Sequence, residues 1–332
     1  MIRRPPLVSV IIPNYNHAKY LPERIKSVLQ QTLTDIEVLI LDDCSPDNSR
    51  DVIDAYMAQD TRICTHYNEQ NSGSTFKQWN KGLAQVNGQY IWIAESDDYA
   101  KPTFLEELVK RLDADPEVGL AYCMSISVDE NSSPIGNHYD YYKEVDATLW
   151  AHDFVKPGIE LVRQYMPLRC IIPNASAVLI RRSVIERIGP ADETMRLSGD
   201  WAYWSKILAS SKVAFVAEPL NYFRQHSNNV RSKALVTGLA LAEEARILNF
   251  LQQFGSLNKA VYQKKIESLM QRWFYGMVNY NIKLETHRDI YSLLAQLDPS
   301  FGRQFITAFS KFLFSNKLSG IRQFIGDKLL SR

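Results

Sequence analysis

Cysteine is scarce in this chain of 332 residues, with only Cys44, Cys64, Cys123 and Cys170 and no CxxC pair. That excludes a disulfide-stapled fold and offers no zinc-type spacing; reduced thiols in a reducing compartment are expected. Glycine and proline number 14 each, too few for a collagen-like or low-complexity chain. No window approaches 18 apolar residues, so no membrane-spanning helix is expected. The first apolar run stops at Pro13 after about five residues, too short for the core of a signal peptide. A surplus of one charge is missing too. Lys and Arg total 38 against 37 Asp and Glu, a net +1, which argues against a nucleic-acid partner.

What is present is an ordinary folding composition, 45% hydrophobic and 23% charged, which rules out disorder as the main state. The length suits about two domains, or one large α/β domain with an appendage. The even charge hides an asymmetry. Residues 300–332 carry six cations against Asp327, a net +5, while the other 299 residues carry 32 basic and 36 acidic groups, a net −4.

Strands and helices alternate through the first 130 residues. Continuous apolar runs predict buried strands at Leu7–Ile12, Ile36–Leu41, Arg62–Tyr67, Gln89–Ala94 and Gly119–Asp129. Apolar residues at helical spacing predict helices at Tyr20–Gln31, Asp47–Met57, Thr75–Val86 and Pro102–Asp113. Asn131–Asp153 shows no clear period. Ser176–Arg181 reads as a strand returning to the sheet, Ser183–Ile188 and Trp201–Leu208 as helices, and Lys212–Ala217 as a strand. Beyond residue 230 only helices are predicted, at Leu235–Phe254, Lys259–Leu284, Arg288–Leu297 and Phe301–Phe314. The expected fold class is therefore α/β, a mostly parallel central sheet flanked by helices, over residues 1–232. A helical C-terminal region follows over 233–332.

In such sheets ligands bind beyond the carboxyl ends of the strands. Three segments fall there: Pro13-Asn14-Tyr15-Asn16, Asp42-Asp43 and Glu95-Ser96-Asp97-Asp98. Three carboxylates within four residues repel one another unless a cation offsets them. Mg²⁺, held by one or two carboxylates plus substrate phosphates, or Mn²⁺ suits such ligands. An acidic turn ahead of a helix N-terminus is the plainer alternative. Asp42 and Asp43 suit hydrogen bonds to a base or ribose, or the capping of a turn. Tyr15 offers a ring for a nucleobase. The turn Asn71-Ser72-Gly73 through Lys77 lacks the GxxxxGK[ST] spacing of a P-loop but can present Lys77 to phosphate.

Taken in order, these pieces resemble family 2 glycosyltransferases of the GT-A fold. The segment VSVIIPNYNHAKYLPERIKSVLQQTLTDIEVLILDDCSPDNSRDVI is similar to the family's opening, and Asn71-Ser72-Gly73, Asn80-Lys81-Gly82 and Glu95-Ser96-Asp97-Asp98 continue the pattern. The resemblance implies inverting sugar transfer from a nucleoside-diphosphate donor, with a UDP-sugar preferred. It implies nucleotide contacts at Pro13, Tyr15, Asn16, Asp42, Asp43, Asn71, Lys77, Glu95 and Ser96. It implies a Mn²⁺ or Mg²⁺ site at Asp97, with Asp98 and His226 assisting; the first acid of the family's DXD motif is here Glu95. Leu197-Ser198-Gly199-Asp200-Trp201 matches the element that carries the general base, which makes Asp200 the catalytic candidate. Arg224 and Trp201 become candidates for the diphosphate and the acceptor.

The implied acceptor is a glycan or lipid-linked saccharide, in bacterial surface polysaccharide synthesis at the cytoplasmic face of the plasma membrane. Phe305, Phe309, Phe312, Leu318, Ile321 and Phe324 alternate with the cations of the C-terminal region. That composition suits peripheral contact with anionic lipid, packing on the catalytic domain, or pairing in a homodimer. Two other functions remain in view. A sugar nucleotidyltransferase would need a Gly-rich loop after the first strand, where Pro13-Asn14-Tyr15-Asn16 stands. A non-catalytic nucleotide-sugar-binding protein would have no use for both Asp97 and Asp200.

Overall fold

A computed structural model describes residues 4–225, 236–298 and 300–314. The described residues form two compact units. One holds the chain through Leu161 and again from Cys170 to the end of the sheet; the other holds Val162–Arg169 and the helices from residue 236 onward.

The first unit is built on a mixed sheet of ten strands. β1 (Val8–Asn14) is buried along its whole length, as its unbroken apolar run requires. α1 (Leu21–Leu29) leads to β2 (Ile36–Asp42), α2 (Ser49–Met57) to β3 (Ile63–Tyr67), and α3 (Thr75–Leu83) to β4 (Tyr90–Ile93). All three crossovers give parallel pairs, β1 with β2, β2 with β3 and β1 with β4. α3 lies so close to the sheet that a Cβ on Gly82 would sit 2.6 Å from Ile11 and 3.1 Å from Leu41. No larger residue fits without moving the helix.

β5 (Tyr99–Ala100), α4 (Phe104–Ala114), β6 (Val118–Val128), β7 (Pro134–Asn137), α5 (Tyr139–Asp146), β8 (Phe154–Pro157) and α6 (Gly158–Gln164) follow. Several of these occupy the stretch without period. Its aromatic residues pack instead of alternating: Tyr142 stacks on Trp150 at 5.1 Å, and Trp150 Nε1 donates to the Tyr122 hydroxyl at 2.7 Å. β9 (Val178–Arg181) enters between β4 and β6, antiparallel to both. α7 (Arg182–Ile188) and α8 (Gly199–Ser210) precede β10 (Lys212–Arg224), which runs parallel to β6. The expected α/β class, the mostly parallel sheet and the returning strand are all present.

β10 departs from expectation by continuing seven residues past Ala217. Its register against β6 shifts on both sides of Pro219. Proline cannot donate to the ladder, so a bulge absorbs it and the strand resumes. The resumed part pairs with β5, and Tyr222 stacks on Tyr99 at 4.3 Å.

The second unit is helical: α9 (Leu239–Leu251), α10 (Lys259–Asn279), α11 (Leu284–Leu297) and α12 (301–314). Leu241, Ala245, Leu248, Ile266, Leu269, Trp273, Phe274, Ile290 and Leu294 form its core. The expected helix Lys259–Leu284 ends early, at Asn279. Ile282 explains the break, because it is buried and turns towards the bare faces of Gly238 and Gly276. No described helix is long and apolar enough to cross a membrane.

One ionic cluster lies inside this unit. Arg272 grips Glu244 with two nitrogens at 2.8 and 2.6 Å, and Lys265 reaches the same carboxylate. Burial alone would raise Glu244, but the hydrogen bonds and charges of Arg272 and Lys265 hold it down to about 2. Burial pulls Lys265 down despite that carboxylate, so the Arg272 pair carries the stabilisation. The folded value lies below the ordinary 4.5; the contribution is therefore complete above that pH and lost as the pH falls towards 2. E244Q is expected to cost about 3 kcal/mol at pH 7. Chemical denaturation at pH 7 and pH 4 checks this, and the gap between wild type and variant should begin to narrow at the lower pH.

Candidate active site at the carboxyl ends of β1, β2 and β4

The parallel strands β1, β2 and β4 end side by side, so the three segments that follow them share one edge of the sheet. At the end of β1, Asn14 is buried and donates to Asp42 at 2.7 Å and to Ser45 at 3.1 Å. Tyr15, 46% exposed, then leaves the protein surface. Asn16 at φ 60° and Cys44 at φ 59° both take the left-handed conformation, which costs a non-glycine residue free energy and persists only where surroundings impose it. The Ser45 hydroxyl, accepting from the Asn16 amide at 2.9 Å, ties the two turns together.

Asp42 and Asp43 are both buried. Asp42 accepts from Asn14 and from the Ser45 amide and hydroxyl. Asp43 accepts from Asn68, from the amide and hydroxyl of Ser72, and from Gln78, at 2.6 to 2.9 Å. These carboxylates build the loops they were expected to serve as ligands. Asn71 on the loop that Asp43 organises and Lys77 in the first turn of α3 remain exposed.

The acidic segment after β4 is held from four sides. Arg24, fully buried on α1, donates from Nε to the Glu95 carbonyl at 2.8 Å and from Nη2 to the Ser176 hydroxyl at 2.9 Å. Ser176 also accepts from the Glu95 amide at 3.0 Å. Arg224, at the end of β10, donates from Nε to the Asp97 carbonyl at 2.7 Å, and its amide donates to Asp98 at 2.8 Å. Trp79 Nε1 donates to the Glu95 carboxylate at 2.8 Å.

The electrostatics follow from this crowding. Burial, then the neighbouring Asp97, pushes Glu95 up to about 8 against the opposing Trp79 bond. Burial and Asp97 also raise Asp98. Burial pulls Arg24 down to about 10 while Asp98, Asp97 and Glu95 hold it up. Burial and crowding raise both carboxyl groups, and hard oxygen ligands of this kind suit Mg²⁺ or Mn²⁺. The residues fit such an ion through Asp97, which is half-buried where Asp98 is enclosed. Among the described residues no three metal-ligating side chains converge.

The other expected residues are placed as follows. Asp98 is buried and accepts from the Arg224 amide at 2.8 Å. Arg224 is buried, and its guanidinium is hydrogen-bonded to the carbonyls of Asp97 and Asp129, to Ser132 and to Glu23, so it braces the turn. Ser96 is buried with its hydroxyl 2.9 Å from His17 Nδ1. Trp201 is buried at 7% exposure and offers no open ring to an acceptor. His226 lies outside the described residues.

Asp200 is half-buried in the first turn of α8, with its carboxylate accepting from the Trp201 amide at 2.7 Å. A Cβ on Gly199 would meet the Phe76 ring at 2.5 Å, so α8 begins hard against α3. Further along, Trp79 of α3 packs on Tyr203 at 6.2 Å and Trp204 at 5.6 Å. Trp79 therefore connects the helix of Asp200 to the acidic turn through one side chain.

Sequence reasoning missed Arg24, Ser176 and Trp79. Arg24 left a signal, as the cation on the apolar stripe of Leu21, Ile25 and Val28. Ser176 and Trp79 left none, because nothing in the chain reports which turn packs beneath which.

The profile described as glycosyl transferase family 2 matches residues 9–189. Glycosyltransferase GlyG of Streptococcus pneumoniae serotype 4 is 39% identical over 138 residues, covering 41% of this chain and 43% of that protein. The putative teichuronic acid biosynthesis glycosyltransferase TuaG of Bacillus subtilis is 42% identical over 102 residues, covering 31% and 40%. The chain thus aligns with less than half the length of each. Among solved structures, S. aureus TarS 1-349 in complex with UDP-GlcNAc superimposes with a TM-score of 0.65 at 18% identity, covering 96% of this chain and 88% of that one. This likeness fixes the fold as GT-A.

D43N replaces one of the two accepting oxygens with a donor and removes the charge that four donors share, and the loop it organises should loosen. We expect amide exchange at Ser72 to speed up by the equivalent of about 2 kcal/mol, read by hydrogen exchange, with the core strands unchanged.

Proposed function

Because the chain belongs to glycosyl transferase family 2, we propose that it transfers a sugar, with inversion, from a nucleoside-diphosphate donor to a hydroxyl of an acceptor. The observation that carries this reading is the braced acidic turn at the end of β4, joined through Trp79 to the helix that bears Asp200. The donor's base and ribose lie along Pro13, Tyr15 and Asn16, with the exposed Tyr15 ring as the stacking surface. UDP is the preferred nucleotide, in keeping with the ligand of the structural neighbour. Asn71, exposed on the Asp43 loop, and Lys77, exposed in the first turn of α3, reach the phosphates or the donor sugar.

Asp97 would hold Mn²⁺ or Mg²⁺, which when bound neutralises charge growing on the diphosphate leaving group. Glu95, tethered by Trp79, keeps the turn's shape and borders the sugar. Asp200 accepts the proton of the attacking hydroxyl, a contribution of about 10²–10⁴-fold. A single displacement from the face opposite the leaving group inverts the anomeric centre and needs no covalent nucleophile. The acceptor is a glycan or lipid-linked saccharide in surface polysaccharide synthesis, as the relation to TuaG suggests. The enzyme acts in the cytoplasm, with the basic C-terminal region touching the membrane or a second subunit. A sugar nucleotidyltransferase is less favoured, because the β1 turn lacks the glycine-rich loop that reaction requires.

Donor screening by thermal shift, with and without Mn²⁺, followed by a turnover assay, tests the reading. D97N is expected to abolish Mn²⁺-dependent turnover. D200N should lower kcat by at least about 100-fold while leaving donor affinity within a few-fold of wild type. Full turnover by both variants would overturn the assignment.

A further inference from the structure

Arg24 has an anomalous environment for a buried cation. Its guanidinium is fully buried, lies over the Trp92 ring at 5.4 Å, and makes its described hydrogen bonds to a carbonyl and a hydroxyl. Neither acceptor carries a charge. Nη1 is buried without a hydrogen-bond partner. A buried arginine placed for stability alone would be expected to grip a carboxylate with two nitrogens, the geometry that the more exposed Arg272 adopts on Glu244 in the other unit. Arg24 instead faces three acidic residues, Glu95, Asp97 and Asp98, without being consumed by any one of them. The second arginine of the site is different, since Arg224 is paired with Glu23. Among the described residues, Arg24 is the cation that faces all three acidic residues without an ion-pair partner of its own.

We propose that Arg24 is a positioning residue that serves as the resident counter-cation of the turn 95–98. Its charge lets the carboxylates sit together when no donor is bound, and it weakens the hold of the donor-free protein on a divalent ion. The ion is then retained mainly with the diphosphate, whose oxygens complete the ligand shell. This rests on the reading of Asp97 as the carboxylate that meets the ion. Charge and geometry predict opposite signs on removal. If Arg24 acts through its charge, a neutral side chain of similar length makes the site more negative and tightens ion binding. If Arg24 only supports the turn, the same change weakens binding.

Mn²⁺ binding to the donor-free protein, measured by electron paramagnetic resonance, separates the two. The proteins are wild type, R24M, R24K, D97N and R24M/D97N, with folding checked by circular dichroism and thermal unfolding. R24M is expected to bind Mn²⁺ about tenfold tighter than wild type, in line with loss of one nearby charge in a partly screened site. R24K, which keeps the charge without the fork, should stay within about twofold, and R24M/D97N should lose the tightened binding. Unchanged or weaker binding in folded R24M, with Asp97 still required, would overturn the role of Arg24 alone. Binding in R24M that ignores D97N would instead sink the Asp97 reading and this inference with it. If R24M does not fold, R24K decides: an affinity change beyond about tenfold despite the retained charge would overturn the proposal.

Discussion

Negative charge crowded at the end of one strand is the constraint around which the catalytic unit is arranged. Glu95, Asp97 and Asp98 follow β4 within four residues, and burying them together is unfavourable unless something compensates. The compensation comes from elements far apart in the chain. Arg24 arrives on α1, Trp79 on α3, Ser176 just ahead of β9, and Arg224 at the tip of β10. Each binds a different atom of the turn. The backbone carbonyls of residues 95 and 97 are held by arginines, the amide of residue 95 by a serine, and the Glu95 carboxylate by an indole.

Two irregularities of the sheet make this possible. The antiparallel insertion of β9 between β4 and β6 brings Ser176 next to the end of β4, where Trp92 Nε1 also donates to its carbonyl at 2.8 Å. The bulge at Pro219 lets β10 regain pairing and carry Arg224 up to Asp97 and Asp98. A regular strand ending at Ala217 would leave that side of the turn open. The features that break the pattern of the sheet are thus the ones that complete the site.

Much of this was legible in the amino-acid sequence. The strand–helix alternation, the returning strand and the placing of the acidic turn beyond β4 follow from apolar runs and short connections, and the ordered motifs name the family. What the chain hid were the consequences of tertiary packing. Asp42 and Asp43 read equally as ligands or as turn caps, and nothing local named Asn68, Ser72 and Gln78 as their partners. The partners of Arg224 were hidden for the same reason, since they lie about 95 to 200 positions away. The expected strand Lys212–Ala217 stops short of β10 because nothing local shows that pairing with β6 absorbs Pro219 as a bulge.

The excursion of Val162–Arg169 into the helical unit has a consequence for how this chain can be cut and recombined. The polypeptide visits the second unit, goes back to finish the sheet, and only then supplies the remaining helices. Val162 and Met166 have no exposed surface, and the Arg163 carbonyl and side chain are hydrogen-bonded to Asn258 and Phe254. A single break near residue 235 would therefore not separate two independent modules. It would leave an apolar hook in the catalytic half whose cover had gone, so exchange of the C-terminal region between relatives calls for two junctions.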